Sequence, residues 1–233
     1  MSAGGVGAAG AGGRSSAPTA ALAGVPTGLQ ALGVWAGRRQ LFIRFAGEAE
    51  TATMYLPRAL AGELKRIAER TSFHSIAITG RDAAGNAAFL AATFHDWTPT
   101  APVMLDTDGQ RPDAIAGLRP YLSMVQVSVD FSGPDAMVER AMDSLGAAAG
   151  TGCHHALVLL PHEETSDVQI LRAIERGRAA SGGTIIVIHP APTATSDAFA
   201  HLDRRWAVLL EKASAVHNDV RVTLRIPPPA GMR

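Results

Sequence analysis

The chain has 233 residues, of which 47% are hydrophobic and 18% charged, so it is long enough and apolar enough to bury the core of one domain. Its 21 basic and 21 acidic residues balance and no dense Lys/Arg run occurs, which argues against a nucleic-acid partner. Cys153 is the only cysteine, which excludes an intramolecular disulfide and a metal cage built from cysteines alone.

The first 25 residues are rich in Gly, Ala and Ser, with Arg14 as their only charge. They lack the compact apolar segment of a secretory signal, and no apolar run in the chain reaches the roughly 18 residues of a membrane span. We therefore expect a cytoplasmic protein without a membrane partner. We expect residues 1–25 to form a flexible extension, residues 26–228 one domain and residues 229–233 a short tail.

From residue 40 onwards, short apolar or β-branched runs alternate with stretches of helical spacing. The runs predict strands over residues 40–46, 74–79, 102–106, 124–130, 154–160, 184–189 and 220–226. The stretches between them predict helices over residues 57–70, 84–94, 112–120, 135–149, 166–181 and 197–216. Pro57 and Pro112 suit the first turn of the first and third helices.

Six strand–helix units followed by a seventh strand predict an α/β fold with parallel strands and right-handed crossovers. Most of these strands are near-continuous apolar runs, as expected for strands that are covered on both faces. Eight units would make a complete TIM barrel, so six units predict an open (β/α)6 partial TIM barrel with a closing seventh strand. In such folds the functional residues lie at the carboxyl ends of the strands.

Polar side chains stand at these predicted strand ends. Carboxylates and an imidazole that meet there could hold a divalent metal or transfer protons, so Asp106, Asp130 and His189 are the candidates for catalysis. The alternative is that such side chains are solvated or form plain turns, as Asp108-Gly109 would. No zinc-protease, P-loop or serine-hydrolase motif occurs, and the sequence predicts no metal site.

Two segments near the start of the predicted domain resemble a known family. Residues 27–38 read TGLQALGVWAGR and residues 42–47 read FIRFAG. In order and spacing they resemble the T-L-Q-G-E-G-x-x-x-G-R segment and the F-x-R-F-x-G strand of the 7-carboxy-7-deazaguanine synthases, members of the radical S-adenosylmethionine (SAM) superfamily. Residues 79–82 and 106–109 are similar, more loosely, to that family's T-G-G-E and E-T-N-G segments. The resemblance and the strand ends together give these candidate ligand-binding residues: Gln30, Thr79, Gly80, Arg81, Asp82, Asp108 and Ser128.

The cluster cysteines of that family are missing. Its C-x3-C-x2-C motif holds a [4Fe–4S] cluster, and the corresponding positions here are Glu48, Ala52 and Tyr55. Carboxylates do not normally replace thiolates on such clusters. The family pattern is also altered at residues 31–32 and 81–82. We therefore expect no [4Fe–4S] cluster and no resident cofactor, while residual binding of SAM stays open.

Two hypotheses of different classes follow. The first is a cluster-less radical SAM-like homologue that acts as a non-catalytic binding or regulatory subunit in a 7-deazapurine-type pathway. Its protein partner would be an intact homologue or another enzyme of that pathway, and its small ligand would be purine-like.

The second hypothesis is an enzyme with iron–sulfur-independent chemistry at the barrel mouth. Asp106, Asp130 and His189 would act on a purine-like or anionic substrate, with Arg81 as an anion clamp and a divalent metal as a further expectation. An enzyme that borrows cysteines from a partner chain is a third interpretation. Convergence of the strand-end side chains within metal-ligand distance would favour the second hypothesis, and their scattering would favour the first.

Overall fold

A ten-stranded sheet runs through the part of the chain that the computed structural model describes, residues 17–190 and 197–223. Its strands are β1 Ala20–Gly24, β2 Thr27–Leu29, β3 Arg39–Phe45, β4 Thr53–Tyr55, β5 Ser75–Gly80, β6 Val103–Thr107, β7 Met124–Asp130, β8 His154–Leu160, β9 Ile185–Ile188 and β10 Val220–Val222. The helices are α1 Pro57–Arg70, α2 Ala87–Asp96, α3 Pro112–Leu118, α4 Asp135–Gly150, α5 Asp167–Ala180 and α6 Asp197–Val216.

Seven of these strands lie parallel to one another and in chain order. From one edge the sheet runs β10-β9-β8-β7-β6-β5-β3, and every neighbouring pair in this series is parallel. A helix joins each strand of the series to the next. Such crossovers are nearly always right-handed, so a series without a reversal curls the sheet in one direction. The protein therefore has an α/β fold with a mostly parallel sheet, compatible with a partial barrel.

The helices pack against the same face of this sheet, which we call the outer face. The main core joins Leu64 of α1, Phe89 of α2 and Leu145 of α4 to strand residues such as Ile43 and Val127. Burying a side chain of this size contributes about 1.5–3 kcal/mol. Because side chains alternate along a strand, the residues between these point to the opposite face, which we call the inner face.

The predicted helices are confirmed, with small shifts at their ends that follow from the local sequence. Pro57 and Pro112 occupy the first turns of α1 and α3. The start of α5 is fixed by a capping box in which Ser166 and Gln169 bond each other's main-chain N–H groups. A turn of 3-10 helix over Ala84–Asn86 precedes α2, which therefore begins three residues later than predicted.

Three antiparallel strands extend the sheet beyond β3, and the sequence did not predict them. β1 and β2 pair with β3, and β4 pairs with β1. Ala20 and Leu22 of β1 are 3% and 1% exposed, so the expectation of a flexible extension up to residue 25 is wrong for this strand. A five-residue strand held between two neighbours needs few large side chains, which is why its composition looked like low complexity.

Parts of the predicted organisation lie outside the described residues. These are residues 1–16 of the expected extension, residues 191–196, and residues 224–233, which include the expected tail and the end of the last predicted strand.

The place of β1 in the core predicts the effect of a leucine truncation there. Leu22→Ala should lower the free energy of unfolding by about 2–5 kcal/mol, because it empties a fully buried site. Leu29→Ala is the matched control, since Leu29 on β2 is 50% exposed and its loss should cost less than about 1 kcal/mol. Urea unfolding followed by circular dichroism measures both, and equal losses would contradict the assignment of β1 to the core.

Candidate functional site

The inner face of the sheet is covered by residues 30–38, which we call the inner segment. This segment is the loop between β2 and β3, and two main-chain hydrogen bonds of 2.8 and 2.9 Å close its ends. Val34 and Trp35 pack against a small buried cluster that is separate from the main core: Ala77, Met104, Met124 and Ala156. The Trp35 ring also meets the His74 ring edge-on, with centroids 5.1 Å apart. The chain thus covers part of its own inner face, around Ala77, Met104, Met124 and Ala156.

Two side chains of the sheet hold the inner segment by its main chain. The Gly33 N–H donates to His189 Nε2 at 2.7 Å, and the Val34 N–H donates to Gln126 Oε1 at 3.3 Å. Gly33 has φ +80°, and a Cβ there would lie 1.6 Å from Gln126 Oε1. His189 is fully buried, and its Nδ1 lies 3.1 Å from Thr223 Oγ1. An imidazole nitrogen that accepts an N–H carries no proton, so this contact requires neutral His189 with its proton on Nδ1.

Asp106 of β6 lies at the centre of the inner face. Its carboxylate receives hydrogen bonds from Gln126 Nε2 at 3.2 Å, from Gln30 Nε2 at 3.4 Å and from Ser128 Oγ at 3.5 Å. Hydrogen bonds to a carboxylate from strong donors are usually about 2.7–2.9 Å long. All three contacts are longer than that, so the carboxylate keeps capacity for a better donor.

Burial also makes the ionised form of Asp106 unfavourable. It raises the pKa of this carboxyl above its ordinary value, and the hydrogen bonds from Gln126, Gln30 and Ser128 lower the pKa only in part. A charge that is kept in such a place without a close partner destabilises the fold. A ligand that donates hydrogen bonds to this carboxylate would relieve that cost.

The row of inner-face residues that contains Asp106 continues towards β3. Gln126 lies beside Asp106 in the β6–β7 register. The β5–β6 register pairs Ile78 with Leu105, so its continuation by one residue brings Thr79 to the other side of Asp106. Arg44 of β3 lies beside Thr79 and forms an exposed ion pair with Glu50. Since neighbouring strands are about 4.8 Å apart, Arg44 and Asp106 stand about 10 Å from each other at the main chain. One small molecule could reach both charges.

A second polar group lies at the carboxyl end of β7. Asp130 Oδ1 is 2.6 Å from His162 Nε2 and accepts the N–H of Ser132 at 2.8 Å. Partial burial would raise the pKa of Asp130, but the hydrogen bonds from His162 and Ser132 and the charge of His162 together lower it to about 2. Beside this pair is a cavity of about 270 Å³ whose lining includes Asp108 and Ser128. Ser128 therefore links the second group to Asp106.

Arg81 and Asp82, two of the predicted ligand-binding residues, lie outside both groups and form ion pairs of their own. Arg81 Nη2 lies 2.5 Å from the Glu48 carboxylate, and Arg111 Nη1 lies 3.3 Å from the Asp82 carboxylate. These side chains are about half exposed or more, so the pairs contribute little to stability. They form a charged rim beside the end of β5.

Gly80 has a structural reason of its own. Its φ is +96°, and a Cβ at this position would lie 2.2 Å from the carbonyl oxygen of Phe45 on the neighbouring strand. The close approach of β3 and β5 therefore requires glycine here.

The residues at the expected cluster positions do not fit an iron–sulfur cluster. Glu48 is paired with Arg81, and Ala52 has no ligating atom. Tyr55 packs against the main core, and its hydroxyl donates to Glu63 at 2.8 Å. A [4Fe–4S] cluster needs three thiolates that point to a common centre. These side chains supply neither the thiolates nor the common direction.

Four predicted site residues come together at the inner face: Gln30, Thr79, Asp106 and Ser128. Sequence reasoning missed Gln126 and the pairing of His162 with Asp130. A signal for Gln126 was present, because an amide inside the apolar run of β7 needs buried partners. Nothing in the local sequence connects His162 to a carboxylate 32 residues earlier.

Searches for similar proteins and for simple structural signatures add no identification. The comparison with protein-family models found no matching family, and the comparison with curated proteins found no matching relative. Among the side chains that the structure describes, those of residues 17–190 and 204–223, no three His, Cys, Asp or Glu are grouped so that they could hold a metal ion. Within residues 17–190 and 197–223 no helix is long and apolar enough to cross a membrane. A proposal for the function must therefore be argued from the geometry of the inner face.

The raised pKa of Asp106 predicts a definite pH dependence of stability. Because the folded state keeps this proton to higher pH than the unfolded chain, rising pH favours unfolding between the ordinary value of 3.8 and the raised one. Asp106→Asn removes this penalty and keeps the shape of the side chain. The stability of Asp106→Asn relative to wild type should therefore grow as pH rises from about 3 to 7. Urea unfolding at each pH measures it, and parallel curves would contradict the expectation.

The Asp130–His162 pair predicts the opposite sign. A lowered pKa gives a contribution to stability that is present above the ordinary value and is lost as pH falls towards about 2. Both side chains are about half exposed, so this contribution should be below about 1 kcal/mol. Carboxyl-carbon NMR titration should give a pKa near 2 for Asp130, and His162→Gln should move it up towards the ordinary value. An unchanged titration in His162→Gln would show that the pair does not hold the carboxylate.

Proposed function

We propose that this chain is a cluster-less, non-catalytic homologue of the radical SAM proteins that binds a small purine-like ligand on the inner face of an open (β/α)6 barrel. It would serve as a binding or regulatory subunit in a 7-deazapurine-type pathway. The observation that carries this proposal is the carboxylate of Asp106, which is held at the centre of the inner face with only long hydrogen bonds.

The chemistry around Asp106 suits a heterocycle of the guanine type. Such a ring presents two adjacent N–H donors, which match the two oxygens of a carboxylate. The amides of Gln30 and Gln126 flank the carboxylate and can each donate or accept. In the same row, the guanidinium of Arg44 could bind an anionic substituent of the ring, and the hydroxyl of Thr79 could form a hydrogen bond with another.

The three residues proposed for catalysis favour binding over chemistry. Asp106 is bonded to amides and a hydroxyl, Asp130 to an imidazole, and His189 to the main chain of the inner segment. The hydrogen bonds and ion pairs of the described residues connect none of the three directly to another. This scattering matches the first of the two hypotheses drawn from the sequence.

The protein partner and the pathway are inferred from the sequence resemblance. Residues 27–47 are similar to the segment that opens the 7-carboxy-7-deazaguanine synthases, and they form β2, the inner segment and β3 here. An intact homologue or another enzyme of the pathway is accordingly the proposed partner. SAM is a weaker candidate ligand, because the residues that alter the T-G-G-E segment, Arg81 and Asp82, are engaged in rim ion pairs.

An alternative function is an enzyme with chemistry that needs no iron–sulfur cluster, acting on a purine-like or anionic substrate with or without a divalent metal. The observation in its favour is the Asp130–His162 pair beside a cavity of about 270 Å³. An imidazole oriented by a carboxylate is a common general base. The two proposals differ in place, since the first depends on Asp106 and the second on His162.

The test is a thermal-shift and calorimetric titration of the full chain with guanine, pterin and SAM. A ligand at 100 times its dissociation constant stabilises the folded state by about 2.7 kcal/mol, which is a clear shift in the melt. We expect guanine or pterin to bind and Asp106→Ala to abolish the shift. Asp143→Ala, at an exposed position of α4, is the matched control and should leave it unchanged.

The outcomes separate the alternatives. No shift with guanine or pterin would overturn the purine-like ligand. A shift that survives in Asp106→Ala and is lost in His162→Ala would move the site to the second group. Binding of SAM alone would favour a retained cofactor site over a purine site.

A further inference from the structure

The attachments of the inner segment are shared with the candidate site. Gln126 accepts the Val34 N–H through Oε1 and donates to Asp106 through Nε2, so one amide is bonded to both. Gln30, the first residue of the segment, donates to the other oxygen of Asp106. What binds the Asp106 carboxylate therefore affects, through each of these amides, how the inner segment is held.

The segment is also the least strongly packed cover that the sheet has in the described residues. The outer face is covered by helices that belong to the main core, whereas Val34 and Trp35 are only partly buried against four residues. Besides this packing, the segment is bonded to the sheet through the Gly33 and Val34 N–H groups and through the side chain of Gln30 at its first end. Gly33 and Gly37 both have φ +80°, so the loop between them has glycine at both bends. Such a loop can open without unfolding the core.

We propose that the inner segment is an autoinhibitory plug: it closes the inner face in the free protein and is displaced when a ligand takes the carboxylate of Asp106. This inference rests on the proposed function for the identity of the ligand, but not for the opening of the segment. A ligand that replaces the donors Gln30 and Gln126 removes the bond of Gln30 to the sheet, and it releases the Gln126 amide from the bond that orients its Oε1 towards Val34. By linkage, a change that loosens the segment without touching the ligand's own contacts should strengthen ligand binding, because it raises the population of the open form.

The first experiment measures opening without any ligand, by amide hydrogen exchange of the full chain followed by NMR. We expect the Gly33 and Val34 amides to exchange at least tenfold faster than the amides of Val125 and Val127 on β7, because they open locally. Exchange of all four at one common rate, limited by global unfolding, would overturn the proposal.

Two glycine variants test whether the contact with Gln126 holds the segment in place. Gly33→Ala places a Cβ against Gln126 and should speed exchange at Val34 at least tenfold. Gly152→Ala is the matched control, since Gly152 has φ +77° and its added Cβ meets nothing within 4 Å. Both variants carry the same backbone strain, so their difference reports the contact with Gln126. Equal effects at Val34 would show that this contact does not hold the segment.

Coupling to the site is tested by Asp106→Ala and by guanine. Asp106→Ala takes the acceptor from Gln30 and Gln126 and should speed exchange at Gly33 and Val34, and an unchanged rate would refute the coupling. Saturating guanine should do the same to wild type, and Gly33→Ala should bind guanine more tightly.

If guanine binds and the segment keeps its protection, the plug is wrong. If guanine does not bind while Gly33→Ala and Asp106→Ala both loosen the segment, the ligand of the proposed function is wrong and the plug stands.

Discussion

The arrangement of the helices imposes the constraint on which the rest of the structure depends. A parallel series in unbroken chain order places its helices on one face, so the other face needs a cover from elsewhere in the chain. The hairpin loop between β2 and β3 supplies that cover. Its fit depends on one buried amide, Gln126, which bonds the loop on one side and the carboxylate of Asp106 on the other.

This constraint explains why stability and the candidate site compete. A protein selected only for stability would place an apolar side chain where Asp106 stands, since the neighbouring row already holds Met104 and Met124. The chain instead keeps a carboxylate whose pKa is raised by burial. Residues that lower stability at the centre of a concave face are typical of binding sites, where the ligand supplies the missing partners. The cover over this face is correspondingly light.

The sequence predicted the parts of the fold that follow from repeated apolar patterns. Six helices and the seven parallel strands carry such patterns, and Pro57 and Ser166 mark helix starts by simple chemistry. β1, β2 and β4 are three to five residues long and contain small or polar side chains, so they have no period to detect. Their pairing depends on β3, which is a tertiary effect.

The site was predictable only where its residues stand at strand ends. Asp106, Ser128 and His189 were selected in this way, but the contacts of His189 could not be predicted. It was expected to take part in catalysis, yet it receives the main-chain N–H of Gly33, 156 residues away in sequence. A contact between an imidazole and a main-chain amide leaves no mark on the identity of the amide residue. The one trace of this contact in the sequence is the glycine at position 33, which its positive φ favours, and glycine has too many roles for that to be a specific signal.

The segment that corresponds to the cysteine region of the resembled family includes an edge strand of the sheet. Thr53–Tyr55 forms the edge strand β4, and Tyr55 turns towards the main core to bond Glu63 of α1. A cysteine in place of Tyr55 would face the main core, whereas Glu48 is exposed and paired with Arg81, so thiolates at these positions would not share a centre. Placing three thiolates at these positions would therefore cost core packing without building a cluster site. This local structure supports the proposed binding role on the inner face over cluster chemistry.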